Sequence, residues 1–378
     1  MEQQNQYDVA IAGGGLAGLS CAILLAKAGH KVIVFEKESY PFHKVCGEYV
    51  SNESWNFLEG LGLPLSSLSL PQIDSLFLSS PDGKSIQVKL PLGGFGISRW
   101  LLEKELAELA CRNHVVIKEN SKVESIEYHD KFFIRSRSGN ATARVCCAAS
   151  GKHSNLDTGW KRKYLEHHDK KLDNYVAVKY HIQTEWPANM IGLHNFENGY
   201  CGISKIESDR YCLCYLTKAG DLKRSNNQLS QLEQNFLYKN PHLEKLFANS
   251  NICPGFPVTI SQVNFKSKTQ IEDHVLMLGD AAGMITPLCG NGMSIAMHTG
   301  KMAANIIHEF LAGRISRKAM ESFYEMEWKK NFSRRLRTGR ILQGFFGNVR
   351  LSNLFVQTFR IFPFMSGYVV KMTHGKPF

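Results

Sequence analysis

Gly13, Gly15 and Gly18 stand in G-x-G-x-x-G spacing, and an acid, Glu36, follows a helix and a strand later. That pattern suits the binding of a phosphate-bearing dinucleotide. The first glycine lets the chain turn sharply, the second lets backbone approach a pyrophosphate, and the third lets helix pack on strand. Glu36 stands where a carboxylate can grip a ribose hydroxyl. Directly after it comes Pro41-Phe42-His43-Lys44-Val45-Cys46-Gly47-Glu48, a loop with a thiol, a cation and an acid in close order. Farther on, Gly279-Asp280-Ala281-Ala282 precedes Pro287 and Gly290-Asn291-Gly292, and Arg99 opens a helical stretch. An arginine suits a phosphate through its fork of donors.

These residues need elements to carry them. Val9, Ala10 and Ile11 form a short apolar run that fits a buried strand. A helix is expected from Leu16 to Ala28, capped by Gly29, and a second strand from Lys31 to Phe35. Asn52–Leu61 reads as a helix, and Ile73–Leu78 with Ser85–Leu90 as a hairpin. Gly93-Gly94-Phe95-Gly96 is expected to be a loop, followed by a helix from Trp100 to Arg112. Val115–Lys118 is a strand, and Ser121–Tyr128, Phe132–Arg137 and Ala141–Ala149 form a meander whose last strand returns to a parallel sheet. Residues 152–174 are polar and are expected to run over the surface, with His153, His167 and His168 solvated. Tyr175–Thr184, Met190–His194, Tyr200–Ile206 and Tyr211–Thr217 read as four strands of a second sheet, and Leu229–Tyr238 and Pro241–Ala248 as helices. A strand at His274–Leu278 leads to a long helix, Asn291 to Leu311, and the rest is helical in pattern.

Hydrophobic content of 43% with 21% charged residues fits a globular chain rather than a disordered one. No apolar run is long enough to span a bilayer, and the polar opening MEQQNQYDV lacks the pattern of a secretory signal, so a cytoplasmic location is expected. None of the ten cysteines is in C-x-x-C spacing, so buried reduced thiols are expected rather than disulfides or a metal site. The net charge of +11 is confined: from Lys329 onward there are 10 basic residues, Lys371 among them, and no acid. That tail either packs on the body with its charges solvated or presents a helical pair to an anionic membrane and admits an apolar substrate. No nucleic-acid recognition fold is visible, so nucleic acid is not an expected partner.

Taken together, the N-terminal pattern, the 39–49 loop and the 279–296 run resemble the FAD-dependent oxidoreductases of the aromatic-hydroxylase superfamily, and within it the geranylgeranyl-reductase-like branch. The resemblance covers the chain to about residue 315 and implies an α/β fold: a Rossmann-like FAD-binding domain (1–72, 93–155 and 270–315), an inserted antiparallel β-sheet substrate domain (73–92 and 156–269), and a helical basic C-terminal region (316–378). It implies FAD held by Gly13, Gly15, Leu16, Ala17, Gly18, Glu36, Lys37, Lys44, Arg99, Gly279, Asp280, Ala281, Pro287, Gly290, Asn291, Gly292 and Met293. Cys46 and Gly47 would lie near the isoalloxazine and the substrate as the candidate catalytic pair. Tyr200-Cys201-Gly202-Ile203 resembles the strand that passes over the flavin. The implied function is redox chemistry on a small lipophilic substrate, with reduction of isoprenoid-type double bonds favoured by the Cys46-Gly47 loop. Hydroxylation of an aromatic or polyketide-like ring with NAD(P)H and O2, and flavin binding without turnover, are the alternatives. One departure stands out: Ala149-Ser150-Gly151 occupies a place where the superfamily often has Asp-Gly, which leaves NAD(P)H as electron donor open.

Overall fold

Short apolar runs separated by glycine turns fold into two sheets that meet at a seam. The computed structural model describes residues 6–166, 174–286, 290–362 and 375–378. His167, His168, Pro287, Cys289 and Lys371 lie outside these, as do the first five residues. The chain begins with β1 (Gln6–Ala12), α1 (Leu16–Lys27) and β2 (Val32–Phe35), then β3 (Tyr49–Ser51), α2 (Trp55–Leu61), β4 (Gln72–Ser79) and β5 (Ser85–Gly96). Next come α3 (Arg99–Arg112), β6 (Val116–Lys118), β7 (Val123–His129), β8 (Lys131–Ser136), β9 (Gly139–Ala148) and α4 (Asn155–Gly159). β10 (Tyr175–Gln183), β11 (Met190–Phe196), β12 (Gly199–Lys205) and β13 (Tyr211–Lys218) precede three short helices, α5 (Ala219–Arg224), α6 (Leu229–Leu232) and α7 (Pro241–Ala248). β14 (Asn251–Ile252), β15 (Val258–Val263), β16 (Ile271–Glu272) and β17 (Val275–Met277) lead to α8 (Gly292–Leu311), α9 (Arg317–Phe345) and α10 (Val349–Ile361).

The first sheet has the order β16-β17-β9-β1-β2-β6, with β8 joining β7 to β9. β1 runs parallel to β2 and β9, and Ala12 faces Phe35 on one side and Ala148 on the other. The carboxyl ends of these strands therefore lie together, which is where open α/β sheets bind ligands. Residues 9–12 of β1 and all of β2 are buried on both faces, so they read as continuous apolar runs rather than alternating ones. The second sheet, β14-β10-β13-β12-β11-β4-β5-β3 with β15 on β10, is antiparallel except where β4 pairs with β11.

Two local expectations are corrected. Residues 93–96 are the end of β5, not a loop, and they pair with β3. Glycines are needed because the strand runs against other backbone: a Cβ at Gly96 would lie 1.7 Å from the Lys205 carbonyl. β3 and residues 93–96 belong to the second sheet. Residues 152–174 are not simply a surface excursion either. Arg162 in that stretch is fully buried, bonding Asp157 at 2.8 Å and Glu272 at 3.1 Å.

The C-terminal helices pack on the body through a narrow stripe. Met320, Tyr324, Trp328, Phe332 and Leu336 recur every four residues along α9 and are buried. The Tyr324 hydroxyl donates to the Met277 carbonyl at 2.6 Å, fastening α9 to the first sheet. Arg335 turns inward to Glu53 at 2.9 Å, so part of the tail's positive charge is internally paired. Among the described residues, no helix is long and apolar enough to cross a membrane.

Candidate active site

The glycine turn closes on the strand next to it. Glu36, at the end of β2, is buried; its carboxylate accepts from the Gly14 N–H at 2.8 Å and from the Glu38 N–H at 3.1 Å. The Tyr40 hydroxyl donates to the Gly14 carbonyl. Gly18 is fixed by packing: a Cβ there would sit 2.0 Å from the Gly13 carbonyl. α1 starts after Gly15 with no side-chain cap, so the helix terminus keeps its first N–H groups for an anion. Leu16 and Ala17 are buried in its first turn, whereas Lys37 is exposed and pairs with Glu38 at 3.8 Å.

Cations gather over that terminus. A Cβ at Gly15 would have Lys44 Nζ at 3.6 Å, Glu103 Oε1 at 3.7 Å and Arg99 Nη2 at 3.9 Å. Lys44 pairs with Glu103 at 3.1 Å, and Arg99 pairs with the same carboxylate. Burial works against the Arg99 charge, yet Glu103 and Cys46 beside it outweigh that and raise its pKa. Two cations sharing one carboxylate at a free helix terminus fit the phosphates of FAD.

The 279–282 segment is held from behind by side chains that arrive from elsewhere in the chain. The Gly279 N–H donates to Thr299 Oγ1 at 2.8 Å. The carbonyls of Asp280, Ala281 and Ala282 accept from Lys268 at 2.9 Å, Arg162 at 2.9 Å and Gln270 at 3.1 Å. Burial raises the Asp280 carboxyl, opposed by Lys268, Arg99 and Lys152. Burial likewise lowers Lys268 and Lys152 to about 8. Gly279 abuts Ala17 of α1, so both fingerprints face one site. Gly290 lies against the Tyr49 ring, Asn291 directly precedes α8, and Gly292 and Met293 open that helix. Pro287 is outside the described residues. Ser150 follows β9 beside Gly13.

At the seam, the loop with Cys46 and Gly47 meets the second sheet. Glu48 is fully buried at a positive φ of 56°, a conformation that costs a non-glycine residue about 1 kcal/mol or more. One carboxylate oxygen accepts from the Lys179 ammonium and from the Arg99 N–H at 2.8 Å; the other lies 2.6 Å from His181 Nε2. Burial alone would push the Glu48 carboxyl up, but Lys179 and His181 outweigh it and hold it at about 2. Glu48, His181 and Cys212 bring potential ligand atoms within 4.8 Å of one another. Lys179 already supplies the positive charge there, so the group is an ion clasp. Ser204, on the strand that begins Gly199-Tyr200-Cys201-Gly202, donates to the Gly47 carbonyl at 2.8 Å. Val45, Tyr200, Met284 and Phe346 form one apolar cluster joining the loop, both lobes and α9.

Sequence reasoning missed Glu103, Lys152, Lys179, His181 and Lys268. One signal was present for two of them. Lys179 and His181 alternate within the otherwise apolar YVAVKYHIQ, which puts both on one face of β10.

A model described as an FAD binding domain matches residues 8–43. The chain is 26% identical to a digeranylgeranylglycerophospholipid reductase of Methanococcus vannielii over 86% of its own length and 83% of the relative's. It is 24% identical to conditioned medium factor receptor 1 of Dictyostelium discoideum, over 88% and 69%. In fold it is similar to the flavin-dependent brominase Bmp2 (TM-score 0.78, 18% identity, 97% and 93% covered). It is also similar to a geranylgeranyl bacteriochlorophyll reductase-like protein of Thermoplasma acidophilum (TM-score 0.77, 20% identity, 93% and 91% covered). The FAD-binding match and the fold are those of FAD-dependent oxidoreductases. Its relatives include digeranylgeranylglycerophospholipid reductases, and its neighbours in fold include both flavin-dependent halogenases and a geranylgeranyl reductase-like protein.

Proposed function

We propose that this oxidoreductase saturates carbon–carbon double bonds of an isoprenoid-type lipid, with NAD(P)H as the source of electrons. The observation that carries the reading is the placement of Cys46-Gly47 at the lobe seam, beside an apolar cluster that includes Val45, Tyr200, Met284 and Phe346. The likeness to a digeranylgeranylglycerophospholipid reductase supports it. Bound FAD supplies the hydride in such chemistry. The chain's part is binding and orientation. The α1 terminus, Lys44 and Arg99 hold the phosphates, Glu36 faces the ribose side, and the seam places an apolar chain beside Cys46. A proton from water or a neighbouring side chain completes addition across the double bond. Incubation of the FAD-loaded, chemically reduced protein with a digeranylgeranyl glycerophospholipid tests this. A product two mass units heavier per double bond supports the reading, and unchanged lipid overturns it.

We also propose that the C-terminal helices meet an anionic membrane, the source of such a substrate. Leu354 and Ile361 on α10 are each 62% exposed and Ile341 on α9 is 58% exposed; Arg350 stands four residues before Leu354, and Arg360 directly precedes Ile361. Apolar residues beside arginines and no acid in the tail suit an anionic lipid surface.

A further inference from the structure

Side chains of the second sheet reach across the seam and seize one short segment, residues 44–48. Lys179 Nζ donates to the Lys44 carbonyl at 3.2 Å, Cys212 Sγ to the Cys46 carbonyl at 3.1 Å, and Ser204 Oγ to the Gly47 carbonyl at 2.8 Å. Lys179 and His181 then hold the Glu48 carboxylate from the same side. From the cofactor lobe, Arg99 donates its N–H to Glu48 and sets its guanidinium against Cys46. The segment also closes on itself, since the Glu48 N–H points at Cys46 Sγ at 3.5 Å. Holding carbonyls in place needs only neutral donors. A fully buried acid in a strained backbone conformation, paired with a fully buried lysine, does more than that: it fixes charge beside the thiol.

We propose that Glu48, with Lys179 as its counter-charge, is the positioning residue for Cys46, setting both where the thiol sits and the field it feels. The inference rests on the reading of the 41–48 loop as the substrate side of the site. Its test reads the thiol itself, so it stands or falls separately from double-bond reduction.

The groups around the clasp come from every element packed on it. α3 contributes Arg99 and Glu103; the loop contributes His43 and Lys44; β10 contributes Lys179 and His181; β13 contributes Cys212 and Cys214; and Arg210 precedes β13. Burial, with Lys179 next in weight, lowers His43 to about 4, so it is neutral near neutral pH. Arg99, Lys179 and Glu48 are thus fixed charges beside Cys46. Removing the carboxylate leaves excess positive charge and favours thiolate; removing the ammonium does the reverse.

The experiment is alkylation of Cys46 by iodoacetamide in the FAD-loaded protein across a pH series, read peptide by peptide in a mass spectrometer. Glu48→Gln is expected to move the midpoint of the profile down by about one pH unit, and Lys179→Met to move it up by about one. Glu48→Gln with Lys179→Met together restores the midpoint to within a few tenths. A scaffold without electrostatic coupling would loosen the loop in both single variants and shift rates the same way with midpoints unmoved. That result overturns the proposal. If one single variant does not load FAD, the other decides: a midpoint moved by about one unit in its stated direction supports the clasp, and an unmoved midpoint overturns it.

Discussion

The glycine turn and the Cys46 segment converge on the same end of the first sheet, but they are assembled from different distances. The turn is closed by Glu36, 22 residues from Gly14. The Cys46 segment is held by Lys179, His181, Ser204 and Cys212, at separations of 131 to 166 residues. The glycine turn can therefore close within one βαβ unit, whereas the Cys46 side of the site is held in place only once both lobes have docked.

The largest way to break this comparison is at the turn. Gly18→Val drives a side chain into the Gly13 carbonyl. FAD affinity is expected to fall by about 100-fold or more, roughly 3 kcal/mol, with purified protein emerging colourless. Retention of yellow protein at stoichiometric FAD would show that the turn tolerates displacement. The next break is at the seam. Lys179→Met leaves Glu48 charged and buried without its ammonium partner, and should cost about 3–5 kcal/mol in denaturant unfolding. Replacing both partners, Glu48→Gln with Lys179→Met, should cost far less, because the uncompensated charge is gone. Equal losses in the two variants would mean that the pair acts through packing alone.

A pH series sharpens the same point. Glu48 sits at about 2 in the folded protein, below the ~4.3 of an unfolded glutamate. Its contribution to stability is complete above the unfolded value and is lost as pH falls from there toward about 2, by up to about 3 kcal/mol. Glu48→Gln should flatten that part of the stability profile; an unchanged slope would place the loss on other carboxylates. The smallest effect is expected at the tail. Leu354→Glu with Ile361→Glu should weaken flotation with phosphatidylglycerol vesicles about tenfold while leaving FAD content intact and changing stability by about 0.5 kcal/mol or less. Vesicle binding that is unaffected would move the membrane face elsewhere.

The same distances explain what could be seen in the sequence. Gly13, Gly15, Gly18 and Glu36 are legible because each answers to a neighbour within one supersecondary unit. α9 and α10 are legible as helices from their spacing. Residues 93–96 looked like a loop because three glycines in four residues carry no apolar alternation; only the approach of Val50 and Lys205 shows why a strand needs them there. Arg162 looked solvated because it lies in a polar stretch, and its carbonyl and carboxylate partners come from Asp157, Glu272 and Ala281. Lys179 and His181 left a trace in their alternation along β10, but nothing local tells that Glu48, more than a hundred residues earlier, is what they face.

Anaerobic mixing of the reduced, FAD-loaded protein with digeranylgeranyl lipid vesicles, followed by flavin absorbance, tests the central claim most directly. The account predicts that the oxidised flavin spectrum returns without oxygen, in proportion to double bonds lost from the lipid. A flavin that stays reduced under these conditions, with a hydroxylated product appearing only when O2 and NAD(P)H are supplied, would contradict it.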